Sequence, residues 1–356
     1  MRILIDGLPI TGSSLAIIIE QLLAGWERLP DEDELHLVLG PGAQLRVPAS
    51  VIVHRETFGR VPAFSRVRGQ SLTVPRLARG LGADAVLGVI PTTTMAPLPC
   101  PRVIIAYDLR HELLPQQFSR KTRAMRKVSY GLGFRQAAGV ACISDRTRQD
   151  LLRSRPWLRD RPVNVTLLGA DHVDAWPLGD QAEPYALAFG QYGNKNVDLV
   201  IDAWRLLRNR GSALPLVIVG LGDDVRAATR ARIDAVGLSE VVTALPWLSA
   251  DEFHARFASA GVIVFPSDFE GFGLPAVEAM RLGIPLVITP EPALLEVTGG
   301  LASVMDGWDA EALADAVTAA GDTSPLDLDV ARQHAAPFTW ERTAADVRAL
   351  IAEVSR

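Results

Sequence analysis

Val262-Ile-Val-Phe-Pro-Ser-Asp-Phe-Glu270-Gly271-Phe272-Gly273-Leu274-Pro275-Ala-Val-Glu278-Ala-Met-Arg-Leu-Gly283-Ile-Pro-Leu-Val-Ile-Thr289 reads as a strand, a glycine-rich loop, a helix and a second strand. The unbroken apolar run Val262 to Phe265 suits a strand covered on both faces. Pro275 fits the start of a helix, where no N–H is required, and Gly283 fits its left-handed stop. Such a unit predicts parallel strands under helices. The amides of Phe272, Gly273 and Leu274 are expected at a positive helix end, which suits phosphate or sugar hydroxyls. Glu270 lies before the helix and Glu278 in or just beyond its first turn, so both carboxylates can approach one ligand. Carboxylates accept well from vicinal diols. A Glu that merely complements the helix dipole explains one of the pair, but not the Gly-Phe-Gly between them.

Outward from this stretch the same alternation continues. Tyr185–Phe189, Leu214–Val219, Val241–Leu245 and Leu286–Thr289 read as further strands of the same sheet. Ile3–Ile5, Leu35–Leu39, Val51–Val53, Ala85–Ile90, Val103–Ala106, Val140–Ile143 and Val163–Leu167 read as strands of an earlier one, with helices that include Ser13–Arg28 and Arg120–Gln136. The expected class is therefore α/β, with two Rossmann-like domains facing each other across a cleft. The N-terminal domain is expected over residues 1–174 and the C-terminal one over 185–338. Pro177, Gly179, Asp180 and Pro184 mark a linker at 175–184, and residues 339–356 read as a C-terminal amphipathic helix.

A chain of 356 residues suits two domains, since single cores rarely grow past about 250–300 residues. The net charge of −5 excludes an overall nucleic-acid footprint. Charge is divided unevenly, however. Residues 1–175 hold 23 Lys+Arg against 16 Asp+Glu, leaving 13 against 25 for the rest. The N-terminal excess lies in Arg55–Arg79, Arg120–Lys127 and Arg146–Arg161. These runs read either as solvated helix faces or as a surface for an anionic acceptor or membrane. The two cysteines, Cys100 and Cys142, offer no disulfide framework or metal spacing, and no apolar run approaches membrane-spanning length. A cytoplasmic protein is expected, with the inner membrane face as a second location.

Several motifs fail. Gly7-Leu-Pro-Ile-Thr-Gly12-Ser13-Ser14 has the spacing of a phosphate loop, but Ser13 stands where a triphosphatase needs Lys. Gly12 and Ser13 remain candidates for a donor phosphate at a helix start. The dinucleotide glycine signature does not follow Ile3–Ile5. Cys142 lies in an apolar strand and reads as packed. Asp31-Glu-Asp33 and Asp327-Leu-Asp329 have the form of metal-binding pairs but sit in acidic, surface-like stretches.

From Glu270 to Met280 the sequence resembles the retaining GT-B glycosyltransferases of glycosyltransferase family 4, with their E-G-F-G-L-P-x-x-E-A-M setting. The resemblance implies transfer of a sugar from a UDP- or GDP-linked donor to a hydroxyl acceptor with retained configuration and without metal or cofactor. It gives Glu270 and the amides around Gly271, Phe272, Gly273 and Leu274 to the donor sugar, and Glu278 to the ribose. Lys195, in Phe189-Gly-Gln-Tyr-Gly-Asn-Lys195, resembles the family's diphosphate lysine; Gly220, Leu245 and Trp247 fall on donor-side loops and the base pocket. Ala106-Tyr107-Asp108-Leu-Arg110-His111 resembles the His-Asp segment that approaches the reacting sugar. Two positions depart from the pattern. Gln191 stands where relatives carry Arg, and Tyr107 where they carry His, with His111 one turn later as a substitute. The implied partners are a nucleotide sugar and a small-molecule, glycan or lipid-linked acceptor, with no nucleic acid; oligomeric state stays open. A GT-B sugar-nucleotide epimerase and a weakly catalytic nucleotide-sugar-binding protein are the alternatives.

Overall fold

A computed structural model describes residues 1–10, 14–56, 67–92, 94–177, 184–191 and 193–356. Gly12 and Ser13, residues 57–66 of the first basic run and residues 178–183 of the expected linker lie outside them.

The first sheet comprises β1 (Arg2–Gly7), β2 (Glu34–Leu39), β3 (Ile52–Arg55), β4 (Ala85–Gly88), β5 (Arg102–Ala106), β6 (Gly139–Cys142) and β7 (Val163–Val165). Its order is β3-β2-β1-β4-β5-β6-β7, parallel throughout. The second comprises β8 (Ala186–Phe189), β9 (Leu216–Leu221), β10 (Val242–Pro246), β11 (Val262–Phe265), β12 (Leu286–Ile288) and β13 (Ser303–Val304). Its order, β10-β9-β8-β11-β12-β13, repeats the first winding. In each unit the chain begins at a central strand, runs to one edge and then returns to fill the other side. Open α/β sheets of this kind bind ligands where the order reverses, beyond the carboxyl ends of the strands. Those points lie between β1 and β4 and between β8 and β11.

Met1–Gly169 with Phe338–Arg356 forms one compact unit and Ala170–Pro337 the other. The final helix, Trp340–Val354, therefore belongs to the N-terminal unit. It packs against the helix Ser14–Glu27, and a Cβ on Gly25 or Gly169 would lie 2.2 Å from the backbone of Trp340. Its Arg348 binds buried Asp33 at 2.6 Å. Burial opposes ionisation of Asp33, but hydrogen bonds led by the one from Arg348 hold its carboxyl below the usual range.

The chain crosses between units after Gly169, ahead of the expected domain end at 174. The difference has a local cause. Asp174, in the turn Asp171–Ala175, receives Nε and Nη2 of Arg281 at 2.7 Å each, which fixes that turn to the helix Leu274–Leu282 of the C-terminal unit.

Candidate functional site

The reversal point of the second sheet brings together the loops that follow β8 and β11. Asn194 joins them. Its Nδ2 donates to Ser267 Oγ at 2.8 Å and to the Phe269 carbonyl at 2.9 Å, while its own carbonyl accepts from the Asp268 amide at 3.1 Å. Asn196 adds a second tie, donating from Nδ2 to the Pro266 carbonyl at 2.8 Å. It adopts φ 51°, ψ 47°, a left-handed conformation that asparagine tolerates better than most residues.

This lacing places Lys195 Nζ 2.5 Å from Glu270 Oε1. Ser267 Oγ donates to the same oxygen at 2.6 Å and Asn194 Nδ2 approaches it at 3.3 Å. The ammonium also stands 4.1 Å from the centre of the Phe265 ring. Lys195 is buried and Glu270 keeps 15% of its side chain exposed. Among the described residues every hydrogen bond to this carboxylate falls on Oε1, so Oε2 is the oxygen available to a ligand. A buried ion pair adds little net stability, because desolvation offsets the attraction. Its effect here is geometric, since it fixes one carboxylate oxygen and aims the other.

Gly273 starts the helix Leu274–Leu282 at φ 93°, ψ 49°, and no side chain caps that end. Left-handed backbone at this position favours glycine. Pro275 has no N–H and the Ala276 amide donates to the Gly273 carbonyl at 2.9 Å, so the Leu274 amide is the first-turn donor that suits an anion. Glu278 is buried in this helix, and its Oε1 lies 3.0 Å from His172 Nε2. His172 rests edge-on against Trp176, which stacks on His254 at 4.3 Å and 13°. Sequence reading missed His172 because it lies 106 residues from its partner. Asn194 and Ser267 were missed for another reason: both are common loop residues, and only their burial shows that they hold Glu270.

The other expected donor-side residues flank this centre. Gly220, at φ 80°, lies beside Gln191; a Cβ there would be 3.2 Å from Gln191 Oε1. Leu245 is half-buried near the end of β10, and Trp247 beyond it is 60% exposed.

Tyr107, Asp108, Arg110 and His111 lie in the N-terminal unit. The Tyr107 hydroxyl is buried without a hydrogen-bond partner among the described residues, and burial pushes its pKa up. Asp108 Oδ1 accepts from the Arg110 amide at 2.9 Å, and Arg110 Nε donates to Gln117 at 2.6 Å. His111 is buried edge-on to Tyr130, with Nε2 3.5 Å from Glu112, and has the surroundings of a packed histidine.

Burial pushes the Cys142 thiol up to about 12, which agrees with a packed side chain. Asp327 accepts from Ser324 Oγ at 2.7 Å, and Asp329 pairs with Arg332. Among the described residues no group of three or more His, Cys, Asp and Glu is placed to hold a metal ion, and no helix is long and apolar enough to cross a membrane.

Residues 178–333 match the family Glycosyl transferases group 1. The chain is 35% identical over 159 residues to D-inositol 3-phosphate glycosyltransferase of Arthrobacter sp. (strain FB24), covering 42% of this chain and 38% of that one. It is 28% identical over 220 residues to O-antigen chain mannosyltransferase B of Escherichia coli, covering 57% of each. The match thus spans less than two thirds of the length of these curated relatives. The structure of Anabaena Alr3699/HepE in complex with UDP-glucose superposes with a TM-score of 0.72 at 16% identity, covering 99% of this chain and 100% of that one. At this identity the likeness shows the fold, two Rossmann-like α/β units as in GT-B glycosyltransferases.

Proposed function

We propose that the protein is a retaining glycosyltransferase that moves a sugar from a nucleoside-diphosphate sugar to a hydroxyl acceptor without a metal ion. One observation carries the reading: Lys195 pairs with Glu270 at the reversal point of the second sheet, in the loop that leads into the uncapped start of the helix holding Glu278, inside the stretch that matches Glycosyl transferases group 1. Supporting it, the relatives named above are a glycosyltransferase and a mannosyltransferase, and the Anabaena structure contains UDP-glucose.

In this reading Glu278, held by His172, accepts from the ribose hydroxyls, and Glu270 receives sugar hydroxyls on Oε2. The bond between the anomeric carbon and the diphosphate oxygen breaks as the bond to the acceptor oxygen forms. The acceptor proton passes to the departing diphosphate. Negative charge grows on that diphosphate, and Lys195 with the helix-start amides stabilises it; preorganised donors aimed at developing charge are a large source of rate enhancement. Gln191 supplies amide contacts where a second cation would add charge. Tyr107 and Asp108 are assigned to the reacting sugar, and Arg110 and His111 to the acceptor side.

An assay for free nucleoside diphosphate across donor sugars and acceptors tests this directly. Acceptor-dependent release that falls in both Glu270→Ala and Lys195→Ala supports it. Conversion of the nucleotide sugar into an isomer without any acceptor replaces it with an epimerase.

A further inference from the structure

The helix Arg120–Gln136 has six Lys and Arg and no Asp or Glu. Arg126 turns inward over the rings of Phe118 and Tyr130. The other five, Arg120, Lys121, Arg123, Lys127 and Arg135, have no acidic partner among the described residues. Between them stand Met125, Val128 and Leu132, exposed by 50%, 63% and 38%. Their spacing of three and four residues keeps them on one face of the helix. Beside this face lies a cavity of about 1020 Å³, walled by four of these cations together with Arg155 and Trp157. Among the described residues its one acidic wall residue, Glu112, is already bound to Arg155.

Cations without partners that surround exposed apolar side chains present both halves of an interfacial surface. Apolar contact enters the acyl boundary while the positive rim meets anionic headgroups. A solvated helix face would explain the charges but not an exposed Val-Leu-Met stripe among them. A nucleic-acid face would need the charges and gain nothing from the stripe. We propose that this face of the N-terminal unit docks on anionic phospholipid bilayers, with Met125, Val128 and Leu132 in the interface and the neighbouring cavity receiving a headgroup phosphate. This inference does not depend on the transferase reading.

Co-sedimentation of the full chain with vesicles tests it. Binding is expected to phosphatidylcholine vesicles containing phosphatidylglycerol, to be absent with phosphatidylcholine alone, and to weaken as salt rises. The pairs Lys127→Glu with Arg135→Glu, and Arg120→Glu with Lys121→Glu, should each reduce binding about tenfold or more. Val128→Asp with Leu132→Asp should also reduce it, which a purely electrostatic surface would not show. Because these side chains are exposed, unchanged thermal melting will confirm that each variant folds. Equal binding to both vesicle types, no effect of the charge reversals, or binding to a single-stranded RNA oligonucleotide in place of vesicles would overturn the proposal.

Discussion

His172 Nε2 lies 3.0 Å from Glu278 Oε1, joining a turn at the start of the C-terminal unit to the helix that follows its glycine-rich loop. The contact holds a buried carboxylate in one orientation. His172→Phe keeps a ring but removes the hydrogen bond. A hydrogen bond to a charged group contributes about 1.5–3 kcal/mol, so nucleoside-diphosphate affinity should fall roughly tenfold to a hundredfold. His172→Gln should recover part of it. Calorimetric titration of the three proteins checks this, and wild-type affinity in His172→Phe removes His172 from any positioning role.

Lys195 and Glu270 form an ion pair within the site, so their stability and rate effects can be separated. Lys195→Ala should lower turnover about a hundredfold to a thousandfold, as for loss of one donor to a developing charge. It also leaves Glu270 without its cation, which should lower the melting temperature. Adding Glu270→Gln should restore part of the melting temperature but none of the turnover. Wild-type turnover in Lys195→Ala means the ion pair is structural only.

Acid stability should depend on Glu112. Burial raises its pKa, but the neighbouring His111 ring, 3.5 Å away, and the hydrogen-bonded Arg155 guanidinium outweigh this and bring it to about 2, below the ordinary 4.5. A carboxyl with a lowered folded-state pKa contributes stability that is complete above its unfolded value and lost as pH falls through the folded one. Glu112→Gln should therefore melt lower than wild type at neutral pH, and the gap should narrow between about pH 4.5 and about pH 2. A gap that stays constant across that window contradicts the assignment.

Turnover should be unaffected by chelators, because Lys195 and the helix-start amides are assigned the charge neutralisation that a divalent ion supplies elsewhere. If chelation abolishes activity and magnesium or manganese restores it, a carboxylate site has been overlooked, with Asp327 and Asp329 the first residues to replace.

Much of the architecture was legible because parallel strands buried on both faces leave unbroken apolar runs. Ala186–Phe189 and Val262–Phe265 are clear examples. β13 was not legible: Ser303–Val304 has two residues and one is polar. The glycine-rich loop and both glutamates could be read because left-handed backbone, a helix start and paired carboxylates demand particular residue types at fixed spacing. What supports them could not be read. His172 reaches Glu278 only through the fold, and the contact between Lys195 and Glu270 joins two loops that follow different strands. The attachment of the last helix to the N-terminal unit was hidden for the same reason, since Arg348 and Asp33 are 315 residues apart.

The most direct measurement is a titration of wild type and Glu278→Ala with nucleoside diphosphates and their sugar conjugates, followed by calorimetry and by thermal shift. A ligand that binds only the folded state raises the melting temperature. At least one nucleotide should stabilise the wild type, and Glu278→Ala should bind it roughly tenfold to a hundredfold more weakly. A wild type that binds none of them, or a Glu278→Ala variant with undiminished affinity, would contradict the assignment of a nucleotide-sugar site to this loop and helix.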